Sequence, residues 1–331
     1  MRLRPFLFAA AAATALSCGS GPTVQPSPPI DDPTVSCPAD INVTAHGGFN
    51  PTVAYDVPVA AKGAPPVTVV CSPAAGSEFK SGTTLVTCEA TDSRSRKGRC
   101  SFSVIVTPVP QLLRTKFMAF GDSLTEGKTR LIGPSIVLVP DKHFNASGSY
   151  PEVLNAKLTD RYQDQTITMV ADGWGGEMAG EGKIRLQAEW GQYNPEVLLL
   201  MEGTNDITDS TTKTVDGMEA AMNSVIDALR TDIGFAKGRG ARVFLGTLVS
   251  LAPPAAPNSI AAIPVLNNRI KALAAEQSVT LVDINAVVPA SMISSIDGIH
   301  PKPGSDAYSL MADEWMKAIV AAFEVKPSTL Q

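Results

Sequence analysis

Residues 116–127 read Lys-Phe-Met-Ala-Phe-Gly-Asp-Ser-Leu-Thr-Glu-Gly. Four consecutive apolar side chains, Phe117 to Phe120, stop at Gly121 and give way to a polar turn that closes at Gly127. An apolar run without alternation fits a strand covered on both faces, not one with a wet side. Working outward, short strand-like stretches return at 166–170, 197–201, 242–247 and 280–284. Helical periods lie among them at 150–162, opening with Pro151 at a first helical position, and at 215–229, 263–277 and 305–323. Strands alternating with helices imply an α/β fold built on a parallel sheet. In such sheets the active groups gather at the carboxyl ends of the strands. A motif that carries chemistry should therefore fall just after a strand.

Three motifs sit at such loop positions. Residues 121–127 follow the first strand, Gly203-Thr-Asn-Asp206 follows the strand at 197–201, and Asp297-Gly-Ile-His-Pro301 precedes the last helix. A serine hydroxyl is inert near neutral pH unless a base takes its proton. The chain has three histidines to do so: His46 and His143 lie outside the motifs, whereas His300 follows Asp297 by three residues. That spacing lets the carboxylate bond one ring nitrogen and leaves the other free for the proton of Ser123. Asn205 offers side-chain N–H donors to a developing oxyanion, and backbone N–H groups near Gly175 and Gly176 can approach one without a blocking side chain. Asp122 and Asp206 read as helix caps, and Glu177 and Glu202 as surface or loop-bonding carboxylates. Trp174 reads as packing over the glycine loop or lining a site. No His/Asp cluster has metal-ligand spacing, and no cofactor is expected.

Composition bounds the remainder. The 331 residues are 44% hydrophobic with a net charge of −5, which excludes disorder for the bulk of the chain. A pI near 5.3 argues against a nucleic-acid binder, and no apolar run approaches the roughly 20 residues of a membrane span. Residues 1–17 read as an export signal. Ala15-Leu-Ser-Cys18 resembles a bacterial lipobox with Cys18 as the lipidated residue, and cleavage after the A-x-A of Ala13-Thr-Ala15 is the alternative. An exported cell-envelope lipoprotein, or a secreted protein, is expected. Setting Cys18 aside leaves Cys37, Cys71, Cys88 and Cys100, an even set suited to two disulfides; Cys88 and Cys100 flank a hairpin and have the best local case. Residues 18–32 form a Pro-rich tether, 33–108 a small all-β module of alternating strands, and 112–331 the α/β domain. The cationic run from Arg94 to Arg99 falls at a hairpin tip, read as a solvated turn, with a surface-polysaccharide contact as the other reading.

Two resemblances rest on these residues. Val35-Ser-Cys37-Pro38, Ser81-Gly-Thr-Thr84, Val86-Thr-Cys88-Glu-Ala-Thr-Asp92 and Cys100-Ser-Phe-Ser-Val104 resemble the hyalin repeat (HYR) family of immunoglobulin-like β-sandwich modules. Residues 114–325 resemble the SGNH, or GDSL-type, hydrolases in four motif blocks taken in order. The second block, Ala171-Asp-Gly-Trp-Gly-Gly176, has alanine where that family often has asparagine. The resemblance implies a flavodoxin-like three-layer sandwich. It also implies Ser123 as nucleophile, Asp297 and His300 completing a triad, and Ser123, Gly176 (or Gly175) and Asn205 as oxyanion donors. The expected activity is that of a serine carboxylesterase or O-acetylesterase on acylated glycans or small esters. A lipase or lysophospholipase is the alternative, with the loops at 131–140 and 248–257 holding an acyl chain or forming a flap. From another class, the alternative is a non-catalytic adhesion or glycan-binding protein.

Overall fold

Phe117, Met118, Ala119 and Phe120 are all buried in the structure, a computed structural model that describes residues 30–127, 148–209 and 214–325. They form β1 (Lys116–Asp122), flanked by β2 (Thr168–Trp174) and β3 (Val197–Met201), with β4 (Arg242–Gly246) and β5 (Thr280–Val282) extending the sheet beyond β3. Every pair is parallel and the order is 2-1-3-4-5, the order of the flavodoxin-like doubly wound fold. The reversal lies at β1, the strand that leads directly into Ser123.

Crossovers between parallel strands are right-handed as a rule, so helices fall on opposite faces when the direction across the sheet reverses. The step from β1 to β2 runs one way across the sheet through α2 (Tyr150–Arg161); the later steps run the other way through α3 (Ala179–Tyr193), α5 (Val215–Gly238) and α6 (Pro257–Glu276). Short α1 (Ser123–Glu126) and α4 (Thr204–Thr208) start where β1 and β3 end, and α7 (Ile284–Val287) follows β5. The closing helix α8 (Ala307–Phe323) packs with α2, Trp315 stacking on Tyr150 at 6.0 Å. Across α3 and α5, Trp190 meets Phe235 edge-on at 5.5 Å. The sheet is thus covered on both faces, as its unbroken apolar strands require.

Differences from the expected elements have local causes. Strand β2 runs four residues past Val170, because Ala171–Trp174 continue the parallel ladder opposite Ala119–Asp122. Helix α6 begins at Pro257, not at 263, and continues through Pro264. Tertiary bonds hold it there: Ser259 donates to the Ile207 carbonyl at 2.8 Å, and Asn267 bonds both backbone groups of Leu248. Helix α3 has no counterpart among the expected elements.

By its contacts the chain divides into two compact units, the first with residues up to Ile41, Val53–Ser77 and Thr84–Val104, the second with Asn42–Thr52, Glu78–Thr83 and the chain from Ile105 on. The all-β region has a four-stranded sheet in the spatial order Ile41–Ala45, Lys97–Pro108, Gly82–Thr91, Thr68–Ser72, besides two short two-strand ladders. Val86, Cys88, Ala90, Phe102, Val104 and Val106 alternate inward along its two long strands. The disulfides are Cys37–Cys100 and Cys71–Cys88, so the hairpin pair Cys88–Cys100 is not formed. Cys71 faces Cys88 directly across an antiparallel pair, with Cα atoms 4.0 Å apart, which leaves Cys100 to Cys37. The cationic run is not simply solvated. Arg96 forks onto the buried Asp92, and Lys97 and Arg99 both pair with Glu89. Burial works to raise the Asp92 carboxyl, but backbone N–H groups and Arg96 outweigh it and hold the carboxyl well below the usual range.

Candidate active site

Strand β1 delivers Gly121 and Asp122 to the carboxyl edge of the sheet, and the chain turns there into α1. Asp122 caps that helix by accepting the Leu124 N–H at 2.9 Å, which leaves Ser123 at the first helical position. Gly121 and Gly173 face each other in the ladder, and neither leaves room for a side chain. A Cβ on Gly121 would lie 2.0 Å from the Met201 carbonyl oxygen; one on Gly173 would lie 2.1 Å from the Glu126 nitrogen. These contacts let the first two motif loops approach one another closely.

The third loop closes on Ser123. Ser123 Oγ lies 2.7 Å from His300 Nε2, and His300 Nδ1 lies 2.8 Å from Asp297 Oδ2. The other oxygen of Asp297 accepts the backbone N–H groups of Ile299 and His300. Burial works to raise the Asp297 carboxyl; those two N–H groups and the imidazole outweigh it and hold the carboxyl below its ordinary value. An ionised carboxylate on Nδ1 fixes the tautomer that presents a bare Nε2. In that state the imidazole can take the hydroxyl proton and return it. Ser123 is 5% exposed and the His300 side chain 18%, enough for a reacting group to enter from one side.

A shelf supports this loop. Leu248, Val249, Leu251 and Ala252 are buried in the core, and the Ala252 N–H donates to the Gly298 carbonyl at 2.9 Å. The first half of 248–257 is therefore packed structure, not an acyl-binding wall or a flap; the other expected loop, 131–140, and His143 lie outside the described residues. His46 is exposed in the turn after Ile41–Ala45.

Residues 174–177 form a turn, closed by the Glu177 N–H on the Trp174 carbonyl at 3.3 Å, with Gly176 at φ +86°. Asn205, on α4, donates from Nδ2 to the Glu177 carbonyl at 2.8 Å, which ties the third motif block to the second and leaves a further N–H on the same nitrogen. Asp206 accepts the Ala179 N–H at the start of α3; burial pushes its carboxyl up to about 6. Both Asp122 and Asp206 thus serve helix starts, as their sequence context indicates.

Glu177 and Glu202 are not surface residues. Both are buried, and Glu177 forks onto Arg185 of α3, Nε to Oε1 at 2.8 Å and Nη2 to Oε2 at 2.5 Å. Arg185 also bonds Asp172 and, at 3.3 Å, the carbonyl of Gly121. Nothing in the motif blocks points to Arg185. The one available signal was a charged residue among Ile184, Leu186 and Trp190 on a segment of helical length. Beside the turn lies an open groove of about 480 Å³ walled by Trp174, Gly176, Glu181, Ile184 and Ala188. Among the described residues, the grouping of metal-ligand type is the three sulfurs of Cys37, Cys88 and Cys100, all of which are bound in disulfides.

A parallel α/β sheet with serine, histidine and aspartate in hydrogen-bonded series at its carboxyl edge defines a class, the serine hydrolases of doubly wound fold. Within it, this chain belongs to the GDSL-like lipase/acylhydrolase family, whose model matches residues 119–304, more than half of its length. An HYR domain model matches residues 29–106. A multidomain esterase of Ruminococcus flavefaciens is 31% identical over 163 residues, 48% of this chain. The match spans a fifth of that relative's length. Among solved structures, a gut microbial diltiazem-metabolizing enzyme shares 17% identity at a TM-score of 0.50, over 63% of this chain and 48% of the other. The lipase/acylhydrolase from Enterococcus faecalis shares 19% at 0.49, over 64% and 98%. An acetylxylan esterase from Geobacillus stearothermophilus shares 18% at 0.47, over 63% and 96%.

Proposed function

We propose that this protein hydrolyses carboxylic esters through an acyl-enzyme on Ser123. The observation that carries the reading is the unbroken series Ser123 Oγ, His300, Asp297, at 2.7 and 2.8 Å. Ser123 Oγ bonds to the ester carbonyl carbon as its proton passes to His300 Nε2. The carbonyl oxygen becomes an oxyanion, received by the N–H groups of Ser123 and Gly176 and by Asn205 Nδ2. The ester C–O bond then breaks, His300 returns the proton to the leaving alcohol, and water repeats the sequence to release the acid. Asp297 holds the ring throughout. In a p-nitrophenyl acetate assay, Ser123→Ala should reduce kcat at least about a thousandfold; an unchanged rate would remove Ser123 from the mechanism.

For the substrate we propose short-chain acyl groups on glycans. The groove beside Gly176 supports this: an indole face suits the C–H face of a sugar ring, and Glu181 in its wall can accept hydrogen bonds from hydroxyls. An acyl series from acetate to palmitate on p-nitrophenol, set beside acetylated oligosaccharides, separates this from a lipase. Best turnover on palmitate would overturn the glycan reading.

We also propose export, with Cys18 lipidated. Two disulfides support an oxidising compartment. Among the described residues no helix is long and apolar enough to cross a membrane, and residues 1–29 lie outside those described. Metabolic labelling with a clickable fatty acid, lost on Cys18→Ser, tests the anchor; a secreted, unlabelled protein would contradict it.

A further inference from the structure

We propose that Arg185, acting through Glu177, is a positioning residue that sets the oxyanion donors of the ester hydrolysis proposed above, on which this inference rests. Arg185 is 7% exposed; its guanidinium bonds the first two motif blocks directly and reaches the third through Glu177. Its Nε edge forks onto Glu177, one residue beyond Gly176, and the Glu177 carbonyl in turn holds Asn205 Nδ2 at 2.8 Å. Its remaining nitrogen, Nη1, bonds Asp172, beside Gly173, and Nη2 donates also to the carbonyl of Gly121, two residues before Ser123. The ring centroids of Phe120 and Trp174 lie 4.0 and 5.0 Å from its central carbon, so the two rings pack against the fork.

Stability alone does not account for such a residue. Taking a guanidinium out of water costs several kcal/mol, and a buried ion pair exchanged for apolar side chains is often as stable or more so. An apolar side chain at 185 would fill the space but could not hold the 174–177 turn and the Gly121 carbonyl at fixed angles. Carboxylates also outnumber the cation: Glu202 lies behind Gly182, whose added Cβ would come within 2.3 Å of a Glu202 oxygen, and Glu189 stands 3.9 Å from Arg185. The cluster is built around one directional donor with five N–H groups. Because an oxyanion donor acts on the transition state and not on bound substrate, loss of its alignment lowers kcat and spares KM.

The test uses the full chain with p-nitrophenyl acetate, each rate divided by the fraction of sites labelled by a fluorophosphonate. Arg185→Lys keeps the charge but not the fork; kcat per site should fall roughly 10- to 100-fold with KM within about twofold. Combining Arg185→Lys with Asn205→Ala should cost clearly less than the product of the two single losses, since part of one change acts through the other. Where Arg185→Lys does not fold, Glu177→Ala decides, with the same 10- to 100-fold loss expected. A parental kcat per site in Arg185→Lys or Glu177→Ala would overturn the inference, as would multiplying losses in the double variant. Ser123→Ala run alongside separates the two claims: if it retains turnover, the underlying reaction is wrong, whatever Arg185 does.

Discussion

In the proposed mechanism Asp297 contributes orientation and charge without touching substrate. Its two oxygens are committed to His300 Nδ1 and to the N–H groups of Ile299 and His300. Asp297→Asn keeps the shape but lets the side chain donate, which favours the tautomer with its proton on Nε2, facing Ser123. On p-nitrophenyl acetate, kcat should fall by about 10³–10⁴; a loss under tenfold would mean that the aspartate is dispensable. Ser123, Asp297, His300 and Asn205 were legible in the sequence because each sits in a short loop after a strand or before a helix, where Gly, Asp and Asn stand out from apolar flanks. Arg185 was not legible. Its partners lie 8, 13 and 64 residues away, and a buried arginine looks the same in sequence as a solvated one.

At the scale of elements, apolar continuity made β1 and β3 readable almost to the residue, since a strand buried on both faces has no polar positions to blur its ends. Helix α3 escaped because Gly180, Gly182 and Gly191 weaken its propensity and Arg185 interrupts its inner stripe. Gly182 is present because Glu202 occupies the space of its side chain, a tertiary reason that no local pattern carries. Gly173→Ala, at the junction of β2 and α1, should destabilise the protein by about 1–3 kcal/mol through overpacking. Urea unfolding measures this; an unchanged midpoint would contradict the close approach. The cysteine pairing was unreadable because it depends on which strands become neighbours. Removing Cys37–Cys100, with a sequence separation of 63, should cost about 4 kcal/mol, and removing Cys71–Cys88, with a separation of 17, about 3 kcal/mol. Calorimetry of the paired Cys→Ala variants would show this as lowered melting of the β region, and an unshifted transition would count against these pairs.

Over the whole molecule, several carboxyls are buried in the α/β domain at a cost that depends on pH. Burial lifts Asp232 from an ordinary 3.8 to about 7 and Asp206 to about 6, and raises Asp172 against the pull of Arg185. Between pH 4 and 7 the folded protein keeps protons that the unfolded chain has released, so these groups favour folding at low pH and lose that contribution as pH rises through 6–7. Carboxyls held low, such as Asp297, have finished titrating by pH 5 and leave the direction unchanged. Tm should therefore be higher at pH 5 than at pH 8. Asp232 is fully buried, and its shift corresponds to on the order of 4 kcal/mol; Asp232→Asn should narrow the difference, and an equal difference in both proteins would contradict the assignment. All of this rests on a folded chain that brings residue 300 to residue 123. Mass spectrometry after fluorophosphonate treatment addresses that claim most directly. The adduct should appear on the peptide carrying Ser123 and vanish in His300→Ala; an adduct elsewhere, or labelling that survives without the imidazole, would contradict the account.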